Sequence, residues 1–466
     1  MTILKSDEAN FVMHIDVAIV GGGSCGLCAA LAANEAGATT LVLEADPQPL
    51  GTTGMSTGLI PAAASRFQQE AGIEDTAEQF ANDIMAKAND EPDRDVVAAL
   101  ARESAATVEW LADTHGVPLS LVDSFLYPGH AAKRMHGTPN RTGAELMGAL
   151  VAAVERAGID VLTDARVTNV FVVDGDRICG IRCQRPDGAT EDLSCDALVL
   201  ACCGFAGNAQ MVAQYIPEIA NAEFFGHPGN TGDAIRWGDA LGAGIKDIHS
   251  YQGHGGLAYG QGVPILWPVI MEGGVQVNIA GKRFSNESRG YSEQAVDVVA
   301  QSDHVAWTVY DQRLHELMLE FDDYRDAVSQ NAIRSAETLA ALCDVTRLPL
   351  DALQTTLDTV AHATKTQQAD DFGRVFAERP VLSAPFYAVK VTGALFHTQG
   401  GLDVNANGQV RRDDGSLLPN LFAGGGAARG VSGAGSAGYM AGNGLLTATT
   451  FGRVAGRQAA SLRAQS

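Results

Sequence analysis

The stretch Asp16-Val17-Ala18-Ile19-Val20 reads as a buried β-strand and runs without a break into Gly21-Gly22-Gly23-Ser24-Cys25-Gly26. An alanine-rich helical segment follows, then a second strand, Thr39-Thr40-Leu41-Val42-Leu43, that ends at Glu44. Gly21, Gly23 and Gly26 make the G-x-G-x-x-G spacing. Their missing Cβ atoms permit a tight turn, the approach of a pyrophosphate to backbone N–H groups, and close packing of helix on strand. The helix start adds a partial positive charge for the phosphates. A carboxylate at Glu44 accepts both ribose hydroxyls but repels a 2′-phosphate, so the pattern points to FAD or NAD rather than NADP. A glycine triplet alone says little; the strand, helix, second strand and acid around it make a dinucleotide site the expectation.

With 466 residues the chain is too long for one compact core, and two or three units are expected. A net charge of -23 disfavours nucleic acid and anionic membrane as partners, which leaves a small molecule. Residues 1–14 show neither an apolar signal region nor paired arginines, and no apolar run is long enough to cross a bilayer. A cytoplasmic location is expected. Eight cysteines without regular spacing read as reduced thiols rather than a disulfide framework. Cys25-Gly26-Leu27-Cys28 is open to a redox reading, because a helix start can lower a thiol pKa, and to a plainer one, small residues packing beside the cofactor. No haem, iron-sulfur or other metal ligand set is expected.

A small-residue loop spans 51–58, a capping box is expected at Asp75 with Glu78, and helices are expected at about 94–114 and 143–157. Asp174-Gly175 and Asp187-Gly188 break the next strands into a meander that ends at Leu200-Ala201-Cys202-Cys203-Gly204-Phe205. A mixed region containing His249, His254 and Trp267 leads into helical stretches from about 292 to 365. From Pro385 the strand pattern returns, with a hairpin at Asn407-Gly408, a glycine-rich loop and a final helix. The expected fold is α/β: a Rossmann-like FAD-binding domain, a β-sheet with helices and a β-meander, at 1–243 and 385–466. An α+β substrate or capping domain at 244–384 interrupts it.

These motifs resemble the flavoproteins that include fumarate and urocanate reductases, soluble flavocytochromes and 3-ketosteroid dehydrogenases. Beyond the fingerprint, Leu200 to Phe205 with Asn208 is similar to the family's A-T-G-G-F segment, and Asn230-Thr231-Gly232-Asp233 to its T-G-D-G element. Gly281-Lys282-Arg283-Phe284-Ser285-Asn286-Glu287 resembles G-x-R-F-x-N-E, and His397-Thr398-Gln399-Gly400-Gly401 resembles H-T-x-G-G. Leu421 to Gly425 and Thr450-Phe451-Gly452-Arg453 bracket a C-terminal flavin loop. The resemblance implies FAD contacts at Gly21, Gly23, Gly26, Glu44, Gly51, Thr52, Thr53, Ser56 and Gly58. It implies further ones at Val167, Ala201, Gly204, Asn208, Asp233, Gly425, Gly442, Gly444 and Leu445. The loop near Thr53 lacks the histidine through which membrane succinate dehydrogenases attach flavin, so the FAD is expected to be noncovalent. Gly426 departs from the family, standing where many relatives carry a glutamate.

Fumarate-type relatives clamp dicarboxylates and deliver a proton with arginines, whereas ketosteroid dehydrogenases use tyrosines. Counting from Arg283-Phe284, the proton-donor arginine position falls on Tyr291. Counting back from Thr450-Phe451-Gly452, the clamp position falls on Tyr439, with Gly442 following. Tyr127-Pro128 resembles the ketosteroid dehydrogenases' Tyr-Pro loop, while His254 and His397 resemble histidines of the fumarate-type enzymes. The resemblance thus implies a dehydrogenase that introduces a C=C bond α,β to a ketone of a small, cyclic substrate, such as the keto acid 4-oxocyclohexanecarboxylate. Tyr291, helped by Arg289, would take the α proton. Tyr439 with the Gly442 N–H would form an oxyanion hole, and flavin N5 would take the β hydride. The electron acceptor is external and unnamed. The alternatives are an enone or enoate reductase of the fumarate or urocanate type, with the histidines on the acid, and a flavin subunit without substrate. Arg134, His136, Arg141, Arg289 and Arg429 stand as candidate partners for a carboxylate.

Overall fold

The computed structural model describes residues 2–376 and 379–463. The chain forms two compact units, one comprising Met1–Tyr215, Gly226–Tyr251 and His397–Ser466, the other Ile216–Phe225 and Gln252–Phe396. The sequence-based boundaries were 243/244 and 384/385; those of the compact units lie at 251/252 and 396/397, with 216–225 assigned to the second.

In the first unit the strand Phe11–Val20 runs parallel to Thr40–Leu43 on one side and to Thr190–Leu200 on the other. Val17, Ile19, Val42, Ala197 and Val199 have no exposed surface, which is why these strands read as unbroken apolar runs rather than alternating ones. Thr190–Leu200 pairs antiparallel with the meander strand Arg177–Gln184 near its start and parallel with Leu421–Ala423 at its end. Asp174 and Gly175 carry the positive φ angles, 55° and 94°, that the meander's first turn requires.

The alanine-rich helix is Ser24–Glu35, and the last helix is Asn443–Ala460. They pack backbone to backbone: a Cβ on Gly452 would lie 2.3 Å from the Cys25 carbonyl oxygen, and one on Gly456 2.1 Å from that of Ala29. Small residues are therefore a packing requirement along both helices. The helix Ala77–Lys87 is capped by Thr76, whose hydroxyl accepts from the Gln79 N–H, and not by the expected box at Asp75. Asp75 instead binds Arg134, and the unexpected capping box is Ser65 with Gln68.

In the second unit Phe386–Thr398 is the sheet's centre, antiparallel to Val305–Asp311 and Ile333–Ala336 and parallel to Glu223–Phe224. The region 292–365 is thus not all helical. Val305–Asp311 is buried at every position, so it lacks the alternation that marks a strand. The helices Tyr291–Val299, Gln312–Met318 and Leu350–Thr366 belong to this unit. Among the described residues no helix is long and apolar enough to cross a membrane.

Candidate active site

The carboxyl ends of the first unit's parallel strands border a cleft of about 240 Å³. Gly21, Gly23, Glu44, Gly51, Thr52 and Thr53 line it from the fingerprint side; Val167, Ala201, Asp233 and Gly425 line it from the meander and the later loops. A Cβ on Gly21 would lie 2.6 Å from the Ala201 carbonyl oxygen, and one on Gly26 only 1.9 Å from that of Gly21. Gly23 is different, with nothing nearer than Thr53 Oγ1 at 3.8 Å, so this backbone is left approachable. The N-cap of the helix Ser24–Glu35 is Gly23, which has no side chain to cap it; Thr53 Oγ1 accepts the Ser24 N–H at 3.3 Å, and the helix's positive end favours an anion. Glu44 is buried, with its carboxylate accepting the N–H of Gly22 at 2.6 Å and of Asp46 at 3.0 Å. These donors and spaces fit a dinucleotide of the FAD type.

Other residues on the sequence-based list shape the site without lining this cleft. Gly26 permits the helix-strand contact just described. Ser56 donates to the Thr53 carbonyl and accepts from the Gly58 N–H, which holds the loop. Gly204 packs where a Cβ would strike Thr398 Oγ1 at 2.0 Å, and Asn208 caps the next helix through the N–H groups of Gln210 and Met211. Gly442, Gly444 and Leu445 belong to the start of the final helix, where the buried Asn443 Oδ1 has no partner among the described residues.

Sequence reasoning missed several lining residues. His227 Nε2 lies 2.8 Å from Asp46, and Asn230 Nδ2 donates to Thr52 Oγ1 at 2.8 Å. The Asn-Thr-Gly-Asp motif could have drawn attention to Asn230; no spacing pointed to His227. Cys203 has a left-handed φ of 63°, and a Cβ on Gly426 would come within 3.1 Å of its sulfur. Gly426, the departure from the family pattern, therefore sits against Cys203. Burial raises the Cys25 thiol well above its ordinary value and pushes Cys28 up to about 12. The helix start does not activate Cys25, and the packing reading of Cys25-Gly26-Leu27-Cys28 holds.

Within the same unit the loop before the final helix gathers Tyr439, Gly442, Gly444 and His397. Tyr439 is buried, and its phenol oxygen is faced by the backbone N–H groups of Gly444 and Gly442. Burial outweighs these donors and raises the phenol above its ordinary value, so it keeps its hydrogen at neutral pH. The oxygen thus lies at the positive end of an 18-residue helix. His397 lies beside it, with ring centroids 5.8 Å apart and planes at 74°. Burial lowers its imidazole to about 4, so it is neutral. The half-buried Tyr127 packs with Leu59, Val122, Met135 and Ala441, which brings it to the same loop; burial pushes its phenol up to about 12.

In the second unit Tyr291 is the first residue of its helix, following Gly290, whose φ of 150° turns the chain. Its ring stacks on His254, centroids 5.3 Å apart, and meets Trp267 edge-on at 6.2 Å. His254 stacks on Phe396 at 5.1 Å from its other side. Desolvation in this aromatic setting lowers His254 to about 3. Its Nδ1 accepts the Gly256 N–H at 3.1 Å, so the ring hydrogen belongs on Nε2.

The cations named as carboxylate partners are mostly committed elsewhere. Arg134, fully buried, is held by Asp75 and Asp83 at 2.6 and 2.5 Å. Arg429 binds Asp247 and Asp403, Arg289 pairs with Asp297, and His136 bonds Ser65 and the Ile60 carbonyl. Arg141 is exposed, and its charge favours the Tyr127 phenolate.

A family model described as an FAD binding domain matches residues 16–445. The chain belongs to that family. It is a member of the FAD-dependent flavoproteins, and its cofactor is FAD. It is 29% identical over 448 residues to the NADH:fumarate oxidoreductase of Klebsiella pneumoniae (strain 342), a match covering 96% of this chain and 47% of that protein. The chain thus spans about half the length of that relative. The open conformation of a flavocytochrome c3 fumarate reductase superimposes with a TM-score of 0.83 at 26% identity, covering 98% of this chain and 80% of the other. A 3-ketosteroid-Δ4-(5α)-dehydrogenase from Rhodococcus jostii RHA1, solved with 4-androstene-3,17-dione, gives 0.78 at 24% identity, covering 98% and 99%. That last likeness is one of fold.

Proposed function

We propose that this chain is an FAD-dependent dehydrogenase that introduces a C=C bond α,β to the carbonyl of a small ketone, cyclic in this reading. One observation carries it: the Tyr439 phenol, faced by the Gly442 and Gly444 N–H groups, stands beside a His397 that burial keeps neutral. An α proton is weakly acidic until charge growing on the carbonyl oxygen is stabilised, and a preorganised, water-excluded O–H does this. A neutral phenol and a neutral imidazole offer a desolvated carboxylate no opposite charge of their own, which makes them a better match for a ketone. Tyr439 therefore holds the ketone oxygen, and Tyr291 takes the α proton as phenolate or through a proton relay. Bound FAD supplies the acceptor for the β hydride. Glu44, the Gly21–Gly26 loop and Thr52 hold it without a covalent bond, since 51–58 contains no histidine. Electrons leave to an external acceptor.

The test is anaerobic mixing of the oxidised holoenzyme with saturated ketones and keto acids, 4-oxocyclohexanecarboxylate among them. Bleaching of the flavin band by a ketone, with enone as product, is the expected result; no bleaching by any of them sinks the reading. A second reading has its own support in the relatives named as fumarate reductases. In it the enzyme reduces an enone or enoate, His254 and His397 bind the acid, and Tyr291 donates the proton. Recovery of chemically reduced flavin by fumarate or urocanate, with no bleaching by ketones, would favour it.

A further inference from the structure

We propose that Gln399 is a positioning residue which, with Ser432 and Asn443, holds the His397 imidazole in the tautomer whose Nε2 carries the hydrogen. Four side chains form a line. Asn443 Nδ2 donates to Ser432 Oγ at 3.0 Å, and the Ser432 hydroxyl donates to Gln399 Oε1 at 3.2 Å. Gln399 Nε2 lies 3.0 Å from His397 Nδ1. Asn443, Ser432 and Gln399 are exposed by 0, 1 and 3%, so solvent does not offer them substitute partners.

A hydroxyl rotates and an amide turns over, so such a line has two polarities. In the first, the donors of the line are engaged and one acceptor, Asn443 Oδ1, is left without a partner. In the reverse, His397 Nδ1–H donates to Gln399, Gln399 to Ser432 and Ser432 to Asn443, and the orphan becomes the Asn443 NH2 group. A buried N–H without a partner is rarer than an under-satisfied carbonyl, which favours the first polarity. The Thr398 carbonyl, the other claimant for Nδ1, is farther away at 3.4 Å. With Nδ1 accepting, a neutral imidazole carries its hydrogen on Nε2.

That nitrogen faces Gly444, where a Cβ would stand 3.0 Å from it, so the glycine keeps its approach open. His397 thereby becomes a second uncharged donor beside the Tyr439 hydroxyl. This deepens the ketone reading and rests on it only for what His397 meets, not for the relay itself.

The relay is tested on the wild-type holoenzyme labelled with [15N]histidine, using long-range 1H–15N spectra, with His397→Asn to identify the signal. The expected result is a neutral His397 with a bare Nδ1 and a protonated Nε2 throughout pH 5.5–8. A protonated Nδ1, or a ring that titrates near pH 6.5, overturns the proposal. Gln399→Glu supplies an acceptor with no N–H, so His397 should switch to a protonated Nδ1 or to imidazolium. A Gln399→Glu enzyme that keeps the wild-type signal also overturns it. Kinetics separate the two claims: losing the Nε2 donor above the ring's pKa should cost roughly tenfold to a hundredfold in kcat/KM for a ketone. An inverted tautomer with unchanged kcat/KM upholds the relay and counts against the ketone reading.

Discussion

Replacing Tyr439 by Phe removes one oxygen and keeps the ring, so it isolates the hydroxyl's part in the chemistry. The Gly442 and Gly444 N–H groups at the start of the final helix face its oxygen, and on the ketone reading its hydrogen goes to the substrate oxygen. Loss of one preorganised oxyanion donor costs about 3–4 kcal/mol in the transition state, or roughly 10²–10³ in rate. The two backbone donors left behind cost about 1–3 kcal/mol of stability each if water cannot reach them, a fall of a few degrees in Tm. FAD affinity should hold, because Tyr439 does not line the dinucleotide cleft. The assay is anaerobic stopped-flow reduction of the flavin by the best ketone, run beside a FAD titration and a melting curve. A Tyr439→Phe holoenzyme that reduces its flavin within fivefold of the wild-type rate would remove the oxyanion role and the argument for a ketone with it.

Three further outcomes are expected. Glu44→Gln removes the anionic acceptor of the Gly22 N–H and should weaken FAD binding about tenfold to a hundredfold, measured by apoprotein titration. Arg134→Met leaves Asp75 and Asp83 buried without their cation and should destabilise by about 3–5 kcal/mol in urea, with KM unchanged because Arg134 is not a substrate clamp. His130, His136, His254 and His397 are depressed to about 4, 4, 3 and 4 in the fold, below the unfolded value of about 6.5. Below that pH the unfolded chain binds protons the native state refuses. Stability should therefore be level above pH 6.5 and fall as pH drops toward 4, by about 1.4 kcal/mol per unit for each histidine. Urea midpoints between pH 4.5 and 8 check this, and a His136→Gln variant should show the shallower slope.

What could be read in advance divides along physical lines. The fingerprint was legible because the turn, the phosphate approach and the helix contact each exclude a side chain, and Gly21 and Gly26 meet backbone at 2.6 and 1.9 Å where a Cβ would stand. The meander was legible from Asp174-Gly175, whose positive φ few residues tolerate. Val305–Asp311 was not, since a strand buried on both faces has no period to detect. The cap at Thr76 was missed because Asp and Thr serve equally as caps, and only the pairing of Asp75 with Arg134, 59 residues away, takes Asp75 out of contention. His227 beside Asp46 and Gln399 behind His397 belong to the same class: their meaning depends on what the fold brings to them, which local spacing does not encode.

Under the proposed ketone chemistry, charge is what would separate the first unit's site from a dicarboxylate clamp. A guanidinium binds a carboxylate by two parallel charge-assisted bonds, and its attraction is the same before and during reaction. A phenol held at a helix start binds a ketone oxygen weakly at first and more strongly as negative charge grows there, which is the differential interaction that speeds the step. Tyr439 and His397 are both uncharged at neutral pH: a phenol is so by nature and burial raises it further, while burial lowers the imidazole to about 4. In the second unit His254 is neutral on the same account, and the rings packed around it are Tyr291, Trp267 and Phe396. On the ketone reading, groups of this kind offer a dianion no charge of their own and favour a neutral carbonyl whose charge appears only in the transition state.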